Sequence, residues 1–353
     1  MTYFPTEFDM KNVAPLISVV MPAYNSSKYI LDSVLSVLNQ SVQEIELLVI
    51  DDCSEDDSRV LLSAIKDPRL SVLSTEKNSG PAKCRNIGFE ASRGEFVALL
   101  DSDDIALPDR FKEQIGYMER NQNIFVCGGA MHRFGNAQGL FTCPEQHEDI
   151  KAKSLFNTPI LNPAAMFRAA PIRDRHLRYN ESLLRCSDYD FWLRTLSEHA
   201  DLMFANLQKA VVLYRVHDSN VTNVKSESWL RMVSEIRRPH LEKLCGSVSE
   251  EDFNIHNKIQ YVKFASNVME LRQMKQWLWR LREANEKQKL YDAVRFRFWL
   301  ALKFSEICMA SLDLGPGAIK QLITYPDFPS LKIESQTVSQ LIKYSTELLR
   351  KTA

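Results

Sequence analysis

Glycine is scarce in this sequence, with 11 in 353 residues. That speaks against a glycine-rich phosphate loop and against a repeat array. A Cys-x-x-Cys pair is missing. The seven cysteines (Cys53, Cys84, Cys127, Cys143, Cys186, Cys245, Cys308) are odd in number and scattered. This pattern fits reduced thiols in a cytosolic protein better than a disulfide framework or a zinc site. No window of about 18 residues is free of charge, so no transmembrane helix is expected. Met1 to Lys11 shows no charged-then-apolar pattern, so no secretory signal is expected. Nor is there an excess of one charge sign: 44 basic against 45 acidic side chains leave −1, which gives no overall case for nucleic acid.

The charge is unevenly spread. Residues 1–224 carry 23 Lys and Arg against 30 Asp and Glu, and residues 225–353 carry 21 against 15. The length allows two domains, or one large domain with an appendage.

The first half alternates short apolar runs with helical spacing. Strands are predicted at 16–21, 45–50, 70–73, 96–100 and 124–129, and helices at 27–39, 57–66, 81–92 and 108–120. Strand-helix-strand repetition predicts an α/β fold with a mostly parallel sheet flanked by helices. Beyond 130, a helix is expected near 148–156, short strands at 164–167 and 210–216, and a helix at 187–199. From about 225 the pattern becomes long and helical. The main boundary is placed near 222, giving a catalytic domain over 1–222 and a helical region over 223–353.

Three of the strands end in polar side chains. Phe96 to Leu100 stops in Asp101-Ser102-Asp103-Asp104. Ile45 to Ile50 stops in Asp51-Asp52, and Leu16 to Met21 in Pro22-Ala23-Tyr24-Asn25. Open α/β sheets bind ligands at their carboxyl edge. Like charges this close repel unless something positive joins them, and a divalent cation on a diphosphate is the natural candidate. The plain alternative is an acidic turn that caps the helix starting near Pro108.

Six segments in this order resemble a family 2 glycosyltransferase of the GT-A fold. They are Ile17 to Asn25, Glu46 to Ser54, Asn78 to Gly88, Leu100 to Asp104, Ser187 to Arg194, and Tyr214 to His217. The resemblance covers roughly 15–220. It implies an inverting transferase that uses a nucleotide-sugar donor, with a uridine base expected. It places Tyr24 against the base, Asp52 at the base edge, Asp101 near the ribose and Arg85 near the nucleotide. Pro22 and Ser102 join the donor set from the same motifs. It puts the metal on Asp103, with His217 helping, and the general base on Asp188. Two departures stand out. Cys53 occupies a place usually held by Gly, so the local turn is expected to differ if that position needs positive φ. Ser187 stands where Glu is usual, which leaves Asp188 as the base with Asp190 as its rival.

The chemistry agrees with these residue types. A divalent ion acts as a Lewis acid on a leaving diphosphate. Magnesium and manganese need few protein carboxylates, and an imidazole leans toward manganese. A single base with no opposing nucleophile implies direct displacement and inversion. Each residue also has a bland reading: Asp188 as a helix cap, His217 as a loop histidine, Arg85 paired with an acid, Tyr24 as a core aromatic. Asn162-Pro163 shapes either the acceptor side or a plain turn. His132, His147, His176, His199, His240 and His256 read as surface or core residues.

Residues 270–310 mix aromatic and basic side chains (Trp277 to Arg282, Val294 to Phe304). They fit either a peripheral membrane contact or a helical subdomain whose aromatics pack inward. Membrane contact would suit a lipid-linked acceptor at the cytoplasmic face. The competing functions are a metal-dependent nucleotidyltransferase, which would want a glycine-rich basic loop after the first strand, and an inactive scaffold of the same fold.

Overall fold

The computed structural model describes residues 14–218, 227–260 and 265–327. The proposed boundary near 222 and the segment Met1 to Lys11 lie outside them. The chain divides into two units. One holds residues up to 150 and 158–233; the other holds 151–157 and 234 onward.

The first unit is built on a nine-stranded sheet ordered β3-β2-β1-β4-β8-β6-β9-β5, with β7 on β6. The strands are β1 (Ile17–Ala23), β2 (Ile45–Asp51), β3 (Leu70–Ser74), β4 (Phe96–Leu99), β5 (Ile105–Ala106), β6 (Ile124–Gly135), β7 (Gly139–Phe141), β8 (Met166–Arg168) and β9 (Met203–Val216). Helices α1 (Ile30–Leu38), α2 (Ser58–Ala64), α3 (Pro81–Ala91), α4 (Arg110–Arg120), α5 (His147–Ser154), α6 (Ala169–Asp174) and α7 (Ser187–Glu198) follow the same chain order.

β1, β2 and β4 are apolar nearly throughout and bury both faces, as parallel strands under helices do. β1 lies between β2 and β4, with Ile17 opposite Ile45 on one side and Phe96 on the other. The sheet is parallel over β3-β2-β1-β4 and mixed beyond it. β8 runs antiparallel to both β4 and β6, while β9 is parallel to β6. The predicted α/β class holds, and the antiparallel pairings accumulate after β4.

α3 lies close on the sheet. A Cβ at Gly88 would come 2.2 Å from Val20 Cγ1, so only glycine permits this approach. The two-residue β5 has no sequence pattern of its own. It pairs antiparallel with β9 (Ile105 with Leu213, Ala106 with Val212) and turns the chain back just after the acidic segment.

The second unit is helical: α8 (Glu227–Cys245) enters it, followed by α9 (Glu250–Gln260), α10 (Val268–Gln288), α11 (Ala293–Ala310) and α12 (Pro316–Ile323). Trp277, Phe296, Phe304 and Tyr325 are buried in its own core. At the centre His256 Nε2 donates to the Leu155 carbonyl (3.0 Å), and Nδ1 accepts from Trp277 Nε1 (3.0 Å). Burial and the nearby Arg237 push this histidine down to about 3. Several basic side chains of 270–310 are in ion pairs: Arg280 with Asp252, Arg282 with Asp327 and Lys303 with Glu306. No described helix is long and apolar enough to cross a membrane.

Candidate active site

The predicted site residues gather at the carboxyl edge of the sheet. After β4 the chain makes a tight turn in which Asp104 N–H donates to the Asp101 carbonyl (3.2 Å). The turn is anchored through Ser102. Its hydroxyl meets that of Ser26 at 2.7 Å, and its carbonyl accepts from Ser33 Oγ at 2.9 Å.

Asp103 meets His217 here: Nε2 and Oδ2 are 2.9 Å apart, and both side chains are partly exposed. Burial and neighbouring Asp101 raise Asp103, and burial with Asp103 raises Asp104 well above its ordinary value. Asp104 Oδ2 is buried with no hydrogen-bond partner. This is an electrostatic deficit that an arriving cation would relieve.

The other half of the site centres on Arg85, one turn into α3. Its Nη2 donates to Asp101 Oδ1 at 3.0 Å. The guanidinium lies 5.5 Å from the Tyr179 ring centroid. With the Asn162 amide turned to satisfy its neighbours, its oxygen accepts from Arg85 Nε at 3.1 Å. Burial alone would lower Arg85, but the carboxylates of Asp101 and Asp188 more than offset it, and the cation is held above its ordinary value.

Asp188 stands in the first turn of α7 and faces this same cluster. Burial raises it, Arg85 opposes the rise, and Asp101 adds to it. The nearby backbone N–H groups of Tyr189 and Asp188 itself also work against the rise. Asp190 is committed elsewhere, paired with Arg194 at 2.8 Å. The two acids thus differ in their surroundings: Asp188 faces Arg85 and Asp101, while Asp190 faces Arg194.

Asp52 and Tyr24 lie at the ends of adjacent strands, where Asp52 N–H donates to the Ala23 carbonyl (2.8 Å). The Asp52 carboxylate is buried and engaged, accepting from Thr75 Oγ1 (2.8 Å), Ser79 N–H (2.9 Å) and Gly80 N–H (2.7 Å). It therefore fixes the 75–80 loop. Tyr24 is 43% exposed, a ring available at the edge rather than a core aromatic. Pro22 sits near the end of β1 opposite Ile50.

One expectation is corrected. Cys53 adopts the left-handed conformation (φ 62°), so the turn is kept rather than changed. The cost of a non-glycine residue there is about 1–2 kcal/mol. Sequence reading also passed over Asn162 as a partner of Arg85, Tyr179 beneath it, and Arg215 two residues before His217. The signal for Arg215 is its place within the Tyr214 to His217 segment.

A sheet of this topology, with acids and a histidine at its strand ends, defines a GT-A-type glycosyltransferase. The sequence model described as Glycosyl transferase family 2 matches residues 18–177. The UDP-Glc:alpha-D-GlcNAc-diphosphoundecaprenol beta-1,3-glucosyltransferase WfgD of Escherichia coli is 30% identical over 213 residues, spanning 60% of this chain and 81% of that one. Residues 1–349 of Staphylococcus aureus TarS, in complex with UDP-GlcNAc, superpose with a TM-score of 0.57 at 21% identity, over 83% of this chain and 90% of that one. The mannosyltransferase PcManGT of Pyrobaculum calidifontis, in complex with GDP-Man and Mn2+, gives 0.51 at 15% identity, over 89% and 88%. At these identities the two structures speak for the fold. The chain belongs to glycosyltransferase family 2 and is a transferase.

Proposed function

We propose that this protein transfers a sugar, with inversion at the anomeric carbon, from a nucleoside-diphosphate donor to a hydroxyl of a glycan or lipid-linked saccharide. A UDP-sugar is the first candidate, in line with the UDP donors named for WfgD and TarS. The observation that carries the reading is the meeting of Asp103 with His217 at one strand edge, in the same acidic turn whose Asp101 holds Arg85.

Among the described residues no cluster of three or more His, Cys, Asp or Glu side chains is arranged to hold a metal by itself. A cation that arrives with a diphosphate needs fewer. Asp103 and His217 supply one oxygen and one nitrogen donor, and phosphate and water can complete the shell. The buried carboxylate of neighbouring Asp104, with one oxygen lacking a hydrogen-bond partner, fits such a cation. Manganese or magnesium suits the set, and the imidazole favours manganese, the ion named with PcManGT. Bound there, it would supply Lewis-acid stabilisation of the leaving diphosphate.

The chain's own residues do the rest. Tyr24 presents its ring to the base. Asp52, with its oxygens spent on Thr75, Ser79 and Gly80, shapes the loop at the base edge. Pro22 and Ser102 set the strand end and the turn that face the donor. Asp101 and Arg85 face the ribose and diphosphate. Asp188, beside Arg85, accepts the proton of the acceptor hydroxyl as it attacks. General-base help of this kind contributes about 100- to 10,000-fold.

A lipid-linked acceptor places this chemistry at the cytoplasmic face of the cell membrane. The exposed Arg272, Lys287 and Lys289 support a peripheral contact through 270–310. No residue pattern supports a nucleic-acid partner.

The test is a hydrolysis screen over UDP- and GDP-sugars with Mn2+ or Mg2+. A UDP-sugar should be cleaved by the wild type and not by Asp103→Ala. If no donor is cleaved, or the variant cleaves equally well, the reading fails.

A further inference from the structure

Asp103 and His217 come from two irregular ends of chain, a turn after β4 and the residue just past β9. Neither end is fixed by regular structure at the ligand itself. Arg215 spans the gap. Its backbone N–H donates to Asp104 Oδ1 (2.8 Å), and its side-chain Nε donates to the Asp103 carbonyl (2.9 Å). Its Nη2 donates to Asp32 Oδ2 on α1 (3.1 Å). The guanidinium is held between two rings, 4.5 Å from the Tyr29 centroid and 4.7 Å from that of Phe134. Tyr29 packs in turn against the His217 ring, with centroids 4.9 Å apart.

Arg215 thus holds the turn at two points, the Asp103 carbonyl beside the candidate ligand and the buried carboxylate of Asp104 that follows it. The contacts fix the turn's backbone (through the Asp103 carbonyl), the far side of the turn (through Asp104) and the angle of the imidazole (through Tyr29). We propose that Arg215 is a positioning residue that assembles the Asp103–His217 pair before the cation and donor arrive. The planar guanidinium is required for this. It bonds a carbonyl and a carboxylate at a fixed angle while stacking on aromatic faces, and a lysine ammonium cannot do all three. The inference rests on the metal reading of the site and goes beyond it by assigning the order that makes the pair.

The experiment compares wild type, Arg215→Lys, Arg215→Met and Asp32→Asn. Mn2+ binding in the presence of UDP is measured by electron paramagnetic resonance of free Mn2+, alongside thermal melts and donor hydrolysis titrated with Mn2+. Removing an outer-shell partner of a metal ligand costs about 10- to 100-fold in metal affinity, and Arg215→Met should fall in that range. Its hydrolysis should recover as Mn2+ is raised, so that the change lies in the metal requirement rather than in kcat at saturation. Arg215→Lys should lie between the Met variant and wild type, and the exposed Asp32→Asn should show a smaller loss with an unchanged melt. If Arg215→Met does not fold, Arg215→Lys decides. Variants that bind Mn2+ as tightly as wild type overturn the positioning role alone. A wild type that binds no Mn2+ with UDP overturns the metal reading together with it.

Discussion

Arg85 Nη2 lies 3.0 Å from Asp101 Oδ1, and the same guanidinium opposes the burial-driven rise of Asp188. One cation thus serves a carboxylate assigned to the donor and a carboxylate assigned to the acceptor.

Replacing Arg85 should therefore move two observables together. In Arg85→Gln, Asp188 loses the charge that lowers it, so it holds its proton to higher pH. The acid limb of the kcat/KM profile should shift upward and the donor KM should rise. A profile identical to wild type, with only KM changed, would confine Arg85 to donor binding.

Asp188→Asn carries opposite effects on activity and stability. Transfer should fall by about 100- to 10,000-fold. The folded carboxyl sits above its unfolded value because burial disfavours the charge, so its ionised form costs stability at neutral pH and that cost disappears once the group is protonated. Removing the charge should raise the neutral-pH Tm, and this gain should vanish as pH falls toward the ordinary carboxylate range. Thermal melts of both proteins across pH check the sign.

Cys53→Gly should stabilise the protein. Relief of the left-handed strain is worth about 1–2 kcal/mol, and the added freedom of glycine in the unfolded chain takes back about 0.5–1 kcal/mol. The net is a gain of roughly 0.5–1 kcal/mol, read as a higher melting temperature with unaltered donor KM.

His256 makes the helical unit sensitive to acid. Its folded value, about 3, lies below the ordinary 6.5. Stability is therefore complete above pH 6.5 and is lost as pH falls from there toward 3. Tryptophan fluorescence, reporting Trp277 beside it, should show that loss on acid titration, and His256→Gln should flatten the pH dependence.

The strand and helix positions of the first half were legible because they rest on local apolar periodicity. Phe96 to Leu99 and the acids that follow are the clearest case. The pairing of β5 with β9 was not legible. Two residues carry no periodicity, yet Ile105 opposite Leu213 brings the turn near His217. That Asp188 faces Arg85 was not legible either, because Arg85 is distant in sequence, whereas the Asp190–Arg194 pair is one helical turn apart. The fate of Trp277 and Phe304 was undecidable from sequence, because an inward-packing helix and a membrane-lying one share the same composition. The Cys53 turn misled because the cost of strain was visible in the sequence while the surrounding contacts that sustain it were not.

Val20 presses on α3 at the one point where that helix has no side chain, three residues after Arg85. The separation between helix and strand is consequently set by a hydrogen atom at position 88. An alanine there would push α3 outward and carry the guanidinium with it, so the proposed donor site can be retuned from the contact between helix and strand.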